Sequence, residues 1–466
     1  MKNVLNSCGK NMFVGFDYGT SNCAMAQMRS GQAQLIPLYG PASLVPSTLY
    51  TLERAFIADA IFQQLPEGPD KRAFAQSRAV LLNQAIAGKR AHALADAQAG
   101  IFYGDDAIAQ YVADPSEGYF IKSPKSFLGA SGLRQASVEF FEDVVAAMML
   151  NVKTRAEQAL GAAITQAVIG RPVNFQGINS EHSNRQAQEI LRVAAGRAGF
   201  TAVEFLFEPL AAGFDFETRL RHNHCVLVVD VGGGTTDCSL VRMGPDHLRQ
   251  LDRTQDCLGH SGERCGGNDF DITFAQHRLM PEFGMLSPLV SGLPMPVMPF
   301  FNAMKVNDLV AQADFYGTNT GLLLEELLRT TSDPQLFERF IKMRAAKQNF
   351  AVVRAAERGK IALSSATEIT LDLAFIEENL QPLCTAQQLA EVSAPILQKI
   401  ASLIHEVQQQ AGVQPDSVYI TGGSAKSPLL TQLIRSLFGP QITIVDGDHF
   451  GSVAAGLAVW GERLFR

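Results

Sequence analysis

The chain has 466 residues, of which 47% are hydrophobic and 18% charged, and its mean hydropathy is +0.05. This composition predicts a soluble globular protein with two or more cores, and the net charge of −7 argues against nucleic acid or an acidic membrane as the main partner. Its seven cysteines form no Cys-x-x-Cys pair, and no apolar run approaches the roughly 18 residues of a membrane span, so we expect a reducing compartment, the cytoplasm.

The first predicted element is a hairpin that follows a polar tail, residues 1–11. An apolar strand from Phe13 ends at Asp17, and a second apolar stretch returns from Cys23. Between them lies the turn Gly19-Thr20-Ser21-Asn22. Because glycine adds no Cβ and hydroxyl groups donate hydrogen bonds, such a turn can bind an anion.

The next 200 residues alternate between predicted strands and helices. Apolar residues at three- and four-residue spacing indicate helices at 139–160 and 184–198, and a strand at 167–173 lies between them. This alternation predicts α/β layering. Glu208 then opens a helix of small residues, Pro209-Leu210-Ala211-Ala212-Gly213, which can pack closely against a neighbour.

A second glycine-rich hairpin is predicted in the middle of the chain, at residues 225–241. A buried strand ends at Asp230, the turn is Gly232-Gly233-Gly234, and Thr235 and Thr236 precede Asp237 on the returning strand. The bare backbone can approach a phosphate. The two carboxylates would repel that phosphate, so a divalent cation or a water molecule is expected between them and it.

The second half of the chain carries three further features. Gly266-Gly267 begins a predicted helix whose aspartates lie near its positive end. Residues 283–302 combine four prolines with apolar side chains and predict an irregular segment, either buried under helices or an adaptable binding surface. A helix near 355–361 places Glu357 and Lys360 on one face, where a surface ion pair is the alternative to a ligand contact.

A third glycine turn lies close to the C-terminus. The predicted strand 418–421 runs into Gly422-Gly423-Ser424, and Lys426 precedes a helix, so the backbone can approach a base or ribose closely. A small-residue helix at 450–460 follows. Asp17 and Asp230 lie 213 positions apart in turns of the same plan, which predicts a duplicated lobe that contributes one phosphate-facing hairpin from each half. Any one turn could be structural, but chance does not readily explain all three.

Seven stretches, in order along the chain, carry a resemblance to a known family. They are Asp17 to Asn22, Lys125 to Gly129, Glu208 to Gly213, Asp230 to Asp237, Gly266 to Asp271, Ala356 to Ser364 and Gly422 to Ser424. Together they resemble the actin, sugar kinase and heat-shock-70 ATPase superfamily. Within it they are most similar to the DnaK-type heat-shock-70 chaperones, and among those to the YegD-type chaperone-like proteins.

The resemblance implies an α/β, two-lobed actin-like ATPase fold, with duplicated ribonuclease H-like lobes and an interlobe nucleotide cleft. The tail would be residues 1–11, lobe I residues 12–221, lobe II residues 222–448, and a crossing helix at 449–466 would return to lobe I. No substrate-binding domain is expected after this helix.

The resemblance also implies ATP or ADP with Mg²⁺ as cofactors and assigns residues to them. Metal would be held through water by Asp17, Glu208 and Asp230. Lys125, with Lys122 as a second choice, would position the attacking water, and the catalytic set would be Lys125, Glu208, Asp230, Thr235 and Asp237. Nucleotide would be bound by Gly19, Thr20, Ser21, Asn22, Gly232, Gly233, Gly234, Thr235, Thr236, Gly266, Gly267, Glu357, Lys360, Gly422, Gly423, Ser424 and Lys426.

Two positions depart from the chaperone pattern at the adenine. Ile361 stands where the family has an arginine that stacks on the base, and Lys426 replaces a second arginine. An aliphatic side chain can cover a base without cation–π attraction, so we expect weaker nucleotide affinity than in the family.

The function expected from these features is an ATP-binding heat-shock-70-like chaperone protein with slow ATP hydrolysis coupled to lobe closure. A protein client or co-chaperone would be its partner, and neither nucleic acid nor membrane is expected. Two alternatives remain open: a small-molecule kinase of the same superfamily, which would transfer phosphate to a sugar or alcohol, and an actin-like filament-forming protein, which would polymerise in ATP.

Overall fold

The structure is a computed structural model that describes residues 12–113, 117–172, 175, 181–248, 250, 253, 255–446 and 451–465. The predicted tail, residues 1–11, lies outside the described residues. None of the described helices is long and apolar enough to cross a membrane. The cysteines within the described ranges are free thiols.

Within the described residues, strands occur from one end to the other and form four sheets. They are β1 (Met12–Tyr18), β2 (Asn22–Arg29), β3 (Gln32–Leu35), β4 (Leu44–Pro46), β5 (Thr48–Thr51), β6 (Ile101–Tyr103), β7 (Tyr119–Lys122), β8 (Ile164–Arg171), β9 (Ala202–Phe207), β10 (His224–Val231), β11 (Thr236–Met243), β12 (Cys257–Glu263), β13 (Glu368–Thr370), β14 (Leu383–Thr385), β15 (Ser417–Thr421) and β16 (Thr443–Asp446).

Helices separate and cover these strands. They are α1 (Arg54–Gln64), α2 (Pro69–Ser77), α3 (Ala79–Ala91), α4 (Asp105–Ala113), α5 (Gln135–Leu160), α6 (Glu181–Arg197), α7 (Glu208–Glu217), α8 (Gly267–Phe274), α9 (Met298–Met304), α10 (Leu309–Tyr316), α11 (Thr318–Thr330), α12 (Pro334–Ala345), α13 (Asn349–Leu363), α14 (Ala386–Ala411), α15 (Pro428–Phe438) and α16 (Ser452–Phe465).

The two large sheets share one topology. The first has the order β3-β2-β1-β8-β9, with β4 paired to β2, and the second has the order β12-β11-β10-β15-β16. In each, the first three strands along the chain are antiparallel neighbours, and two later strands add in parallel. Parallel strands require crossover connections, which the helices supply. The predicted α/β fold with a duplicated lobe is confirmed.

Both predicted glycine hairpins form. β1 pairs with β2 in a register that places Asp17 opposite Ala24, and β10 pairs with β11 so that Asp230 lies opposite Asp237. Strands β10 and β11 are buried along almost their whole length because helices cover both faces of their sheet. Asp17 and Asp230 therefore each lie near the end of the central strand of their sheet.

Helices α7 and α16 pack against each other between the two sheets. Their contact is a backbone approach, because a Cβ atom at Gly456 would lie 1.6 Å from the carbonyl oxygen of Ala211. Beside it, the rings of Phe214 and Trp460 stack with centroids 5.2 Å apart. Small residues at these positions thus allow two helices to fill the space between two sheets.

Residues 283–302 are partly buried and partly exposed, so each of the two predicted alternatives applies to part of the segment. Phe283, Met295 and Phe300 are buried in the core of the second half, whereas Val290 and Leu293 are 78% and 62% exposed. The segment is irregular until α9 begins at Met298. Prolines prevent a continuous helix here.

We predict that Gly456→Ala destabilises the protein by roughly 1–3 kcal/mol or more, because the added methyl group collides with main-chain atoms of Ala211. Thermal unfolding monitored by circular dichroism measures the effect. The matched control is Gly196→Ala in α6, where nothing lies within 4 Å of the new Cβ, and this change should be neutral or mildly stabilising. Equal melting temperatures of the two variants would contradict the close packing of α7 and α16.

Candidate functional site

Three glycine turns and two helices surround one cleft of about 210 Å³. The turns are the tips of the hairpins β1–β2 and β10–β11 and the loop between β15 and α15. The structure brings most of the predicted site residues to this cleft: Asp17, Gly19, Thr20, Ser21, Asn22, Glu208, Asp230, Gly232, Gly233, Thr235, Gly267, Glu357, Lys360, Gly422, Gly423 and Ser424.

The two hairpin tips meet each other. A Cβ atom at Gly233 would lie 1.8 Å from the hydroxyl oxygen of Ser21, so any other residue there would push the tips apart. A Cβ atom at Gly234 would likewise lie too close to Thr20 and to the hydroxyl oxygen of Ser126. Backbone N–H groups and hydroxyls from both halves therefore converge on the same small volume, which suits an anion such as phosphate.

The start of α8 supports the central hairpin. The backbone N–H groups of Gly267 and Asn268 donate hydrogen bonds to the carbonyl oxygens of Gly232 and Gly233, at 2.8 and 2.7 Å. Gly267 lines the cleft, but its amide is already used by the hairpin. Gly266 lies just behind, where its N–H group donates to the Asp269 side chain at 2.7 Å.

Acidic side chains concentrate at the bottom of the cleft. Asp17 and Asp230 end their strands, Glu208 is the first residue of α7, and Lys125 forms an ion pair with Glu208. Burial, together with the charge of Glu208, raises the pKa of Asp17 to about 7. Burial and the charges of Glu208, Asp237 and Asp17 also raise the pKa of Asp230 well above its usual value.

Lys125 is the cation inside this acidic group. Burial alone would lower its pKa, but the charges of Glu208 and Asp17 outweigh burial and raise it. Lys125 is therefore protonated and compensates one of the negative charges. The remaining negative charge makes the bottom of the cleft attractive to a cation.

Several predicted residues lie behind the wall of the cleft. Lys125 is 3% exposed behind Glu208, and Asp237 is 2% exposed beside Asp230. The Thr236 hydroxyl donates to the carbonyl oxygen of Cys265 at 2.6 Å. These residues can support the wall and its charge, whereas Thr235 is on the surface of the cleft.

The other end of the cleft is bounded by α13. Lys360 forms an ion pair with Asp271 at 2.7 Å and donates to the carbonyl oxygen of Gly267 at 3.1 Å. Burial raises the pKa of Asp271, although the charge of Lys360 opposes this shift. The partner of Lys360 is thus a residue of α8, which links α13 to the turn that supports the central hairpin.

An adjoining cavity of about 390 Å³ shares part of this end. Ile361 and Lys426 both line it, together with Ser364 of α13, and Ile361 is 62% exposed. The two positions that depart from the chaperone pattern therefore lie next to each other in space.

Lys122 is placed away from the acidic bottom of the cleft. Its ammonium group lies 4.9 Å from the centre of the Phe350 ring. Burial lowers its pKa, and Glu357 and Asp271 are the carboxylates that oppose this shift. Of the two lysines considered from the sequence, Lys125 is the one next to Glu208 and Asp17.

Sequence reasoning did not single out some residues that line the cleft. Asn268 and Asp271 belong to the Gly-Gly-Asn-Asp-Phe-Asp stretch, and Asp271 follows the glycines at helical spacing, a signal that could have found it. Ser452 begins α16, and its hydroxyl lies 2.6 Å from that of Thr421. Leu44 comes from β4, whose three residues carry no comparable pattern.

The acidic group suits Mg²⁺ in one particular way. Carboxylate oxygens are ligands that Mg²⁺ prefers, and Mg²⁺ commonly keeps several of its waters. Across the described part of the chain, no three His, Cys, Asp or Glu side chains are close enough to hold a metal ion directly. Asp17, Glu208 and Asp230 therefore fit a hydrated ion better than a bare one.

Comparison with known proteins finds one family. The sequence profile described as Hsp70 protein matches residues 132–285 and 337–464. Chaperone protein dnaK3 of Synechococcus elongatus is 27% identical over 440 residues, covering 91% of this chain and 47% of that protein. Chaperone protein HscA of Edwardsiella ictaluri is 25% identical over 462 residues, covering 98% and 58%.

A plant relative is similar to the chain to about the same extent. Heat shock 70 kDa protein 7, chloroplastic, of Arabidopsis thaliana is 24% identical over 460 residues, covering 96% of this chain and 51% of that protein. The chain thus spans about half the length of the curated relatives it matches.

We predict that Asp17→Asn stabilises the ligand-free protein considerably more at pH 8 than at pH 5. The folded protein holds a proton on Asp17 up to about pH 7, whereas the unfolded chain releases it near 3.8. The contribution of Asp17 to the free energy of unfolding therefore falls as the pH rises from about 4 to 7, and it stays low above pH 7. Melting temperatures in EDTA should show a gain of roughly 3 to 6 °C at pH 8.

The control for this prediction is Glu338→Gln, the same exchange of carboxylate for amide at an exposed position of α12. It should leave the difference between pH 5 and pH 8 as in the unchanged protein. A loss of stability in Asp17→Asn at pH 8 would mean that Asp17 is held by favourable contacts and not by repulsion.

Proposed function

Because the chain belongs to the Hsp70 protein family, we propose that it is an ATP-binding heat-shock-70-like chaperone protein that holds MgATP in the cleft between its two sheets. The observation that carries this proposal is the contact between the two hairpin tips above a buried acidic group. Such a site offers N–H and hydroxyl donors to phosphate and negative charge to a cation within one small volume.

The phosphates would be bound by the two tips. Gly19 to Asn22 from the first half and Gly233 to Thr235 from the second would present backbone N–H groups and hydroxyls to the β- and γ-phosphates. Gly232 and Thr236 would hold the second tip in shape, because the Gly232 N–H donates to the carbonyl oxygen of Thr235 and the Thr236 hydroxyl to that of Cys265. Thr235 would donate a hydrogen bond to the γ-phosphate. Gly266 and Gly267 would act by holding the second tip in place, because their amides are engaged with the hairpin and with Asp269.

The acidic group would hold Mg²⁺ through water, with Asp17, Glu208 and Asp230 as its partners. When bound, the ion would neutralise phosphate charge and relieve the repulsion among these carboxylates. Lys125 would keep Glu208 in place. Because Lys125 and Asp237 lie behind the wall of the cleft in this structure, Lys125 would orient the attacking water and Asp237 would accept its proton only once closure of the halves brought them to it.

The nucleoside would lie toward α13 and the turn after β15. Glu357 and Lys360 would bind the ribose, and Gly422, Gly423 and Ser424 would let the base approach the backbone. Ile361 and Lys426 line the adjoining cavity and would cover the base. Without an arginine, this cover lacks strong cation–π attraction, and the affinity would be modest.

Hydrolysis would be coupled to movement of the halves. We assign residues 12–221 to lobe I, 222–448 to lobe II and 449–466 to the returning helix. Because the γ-phosphate would contact both hairpin tips, ATP favours a closed arrangement more than ADP does. A protein client or co-chaperone would sense this difference, and the cytoplasm is the location we propose on the basis of the free thiols.

We predict that Asp230→Asn weakens MgATP binding about 10- to 100-fold, which is typical for loss of a group that holds a metal through its outer shell. Isothermal titration calorimetry with MgATP measures this, and Asp70→Asn, at an exposed position of α2, is the matched control. Unchanged affinity in Asp230→Asn would remove Asp230 from the site.

Single-turnover hydrolysis of bound ATP then tests the enzymatic part of the proposal. Release of phosphate to water is expected. Binding without hydrolysis would make the protein a nucleotide-gated switch, transfer of phosphate to an added sugar or alcohol would favour a kinase, and sedimentation of polymers in ATP would favour a filament protein.

We further predict that Ile361→Arg strengthens ATP binding about two- to fivefold, the range expected from one cation–π contact at a partly exposed base. Leu322→Arg is the control, since Leu322 is 61% exposed and lies on α11 away from the cleft. Calorimetry in the same buffer compares the two. Equal affinities of both variants would place the base elsewhere.

A further inference from the structure

A second large cavity lies between the two halves of the molecule, with a volume of about 690 Å³. We call it the aromatic cavity, because eight of its nineteen lining residues are aromatic in a chain with 8% aromatic residues. One wall comes from β7, α4 and α5 and the other from α10 and α13. It shares no lining residue with the nucleotide cleft, and its volume is typical of small-molecule sites.

The aromatic rings form a continuous surface across the two halves. Tyr111 and Phe120 of the first half stack with centroids 4.5 Å apart, and Phe350 of the second half meets them edge-on at 5.5 and 5.1 Å. The Tyr111 hydroxyl donates to the carbonyl oxygen of Lys347 at 3.0 Å, so the two walls are also joined by a hydrogen bond. Half-buried rings of this kind can cover a flat apolar molecule.

The charges that line the aromatic cavity are all positive. Arg54, Lys122 and Lys347 line it, and no Asp or Glu does so among the residues that the structure describes. The guanidinium of Arg54 lies 4.3 Å from the centre of the Phe140 ring, and the ammonium of Lys122 lies 4.9 Å from that of Phe350. Cations held over ring faces remain able to pair with an anion from the open side.

These charges contrast with the rest of the protein. The chain as a whole carries −7, yet this cavity gathers three cations. Burial lowers the pKa of Lys122, and the charges of Glu357 and Asp271 offset this shift only in part. An anion in the cavity would add negative charge that stabilises the ammonium group.

We propose that the aromatic cavity is a binding site for a small organic anion with an aromatic body. The rings cover the body, and Arg54 and Lys122 face the anionic group. A cavity that selected by shape alone would bind a neutral or cationic analogue equally well. A preference for the anion is therefore the result that the cations of the cavity predict.

Because both halves contribute walls, the bound anion favours the arrangement of the lobes in which Phe350 meets Tyr111 and Phe120. This second consequence rests on the proposed nucleotide function. Any factor by which MgATP changes the affinity for the anion must equal the factor by which the anion changes the affinity for MgATP.

The experiment is calorimetric titration of the full chain, without nucleotide, with 1-naphthalenesulfonate, with neutral 1-naphthalenemethanol and with cationic 1-naphthylmethylammonium. Ala136→Trp places a bulky ring in the cavity from an exposed position of α5, and Ala159→Trp, also exposed on α5, is its control. Arg54→Gln removes one cation, and Arg72→Gln on α2 is the corresponding control.

We expect one sulfonate per chain, loss of its binding in Ala136→Trp, and about fivefold weaker binding in Arg54→Gln, the effect of about one ion pair. Both controls should bind as the unchanged protein does. Equal affinity for the three naphthalene compounds, or unaltered sulfonate binding in Ala136→Trp, would overturn the proposal. Repeating the titration with Asp230→Asn separates the two proposals, because the anion site is expected to survive a change that weakens nucleotide binding.

Discussion

Burial of a group of mutually repelling carboxylates is the constraint around which this structure is built. Burial and the charge of Glu208 raise the pKa of Asp17, burial and the charges of Glu208, Asp237 and Asp17 raise that of Asp230, and Lys125 compensates only part of this charge. A fold can hold such a group only if the surrounding strands and helices fix it firmly. Central strands of two sheets, the first turn of α7 and a buried lysine do so here, and in the proposed function a bound cation would offset the cost of burial.

Duplication explains how one chain places these groups together. Each half ends its central strand in an aspartate and a glycine or hydroxyl turn, and the two strand ends face the same space. The halves are joined by α7 and α16, which have almost no side-chain layer between them at Gly456 and Ala211. In the proposed function, neither half alone would contain a complete phosphate site, so binding would depend on the relative position of the halves.

The hairpins, the α/β layering and most of the cleft residues were predictable because their signals are local. A buried strand, an aspartate and a bare turn lie within about 15 residues of one another and obey simple pairing rules. The ion pair of Lys125 with Glu208 spans 83 positions, and the engagement of the Gly267 amide by Gly232 depends on how α8 meets the hairpin. These contacts depend on tertiary packing, which a local sequence pattern does not reveal. The same holds for the aromatic cavity, whose walls come from residues 54–141 and 306–350.

Trp460 has a consequence for how this protein can be observed. It is the only tryptophan in the chain, and it stacks on Phe214 where the two helices cross between the sheets. Its indole is therefore an intrinsic fluorophore located where α7 and α16 pack between the two sheets. Emission from this single ring reports on the joint between the halves in solution, without any attached dye and without interference from other indoles.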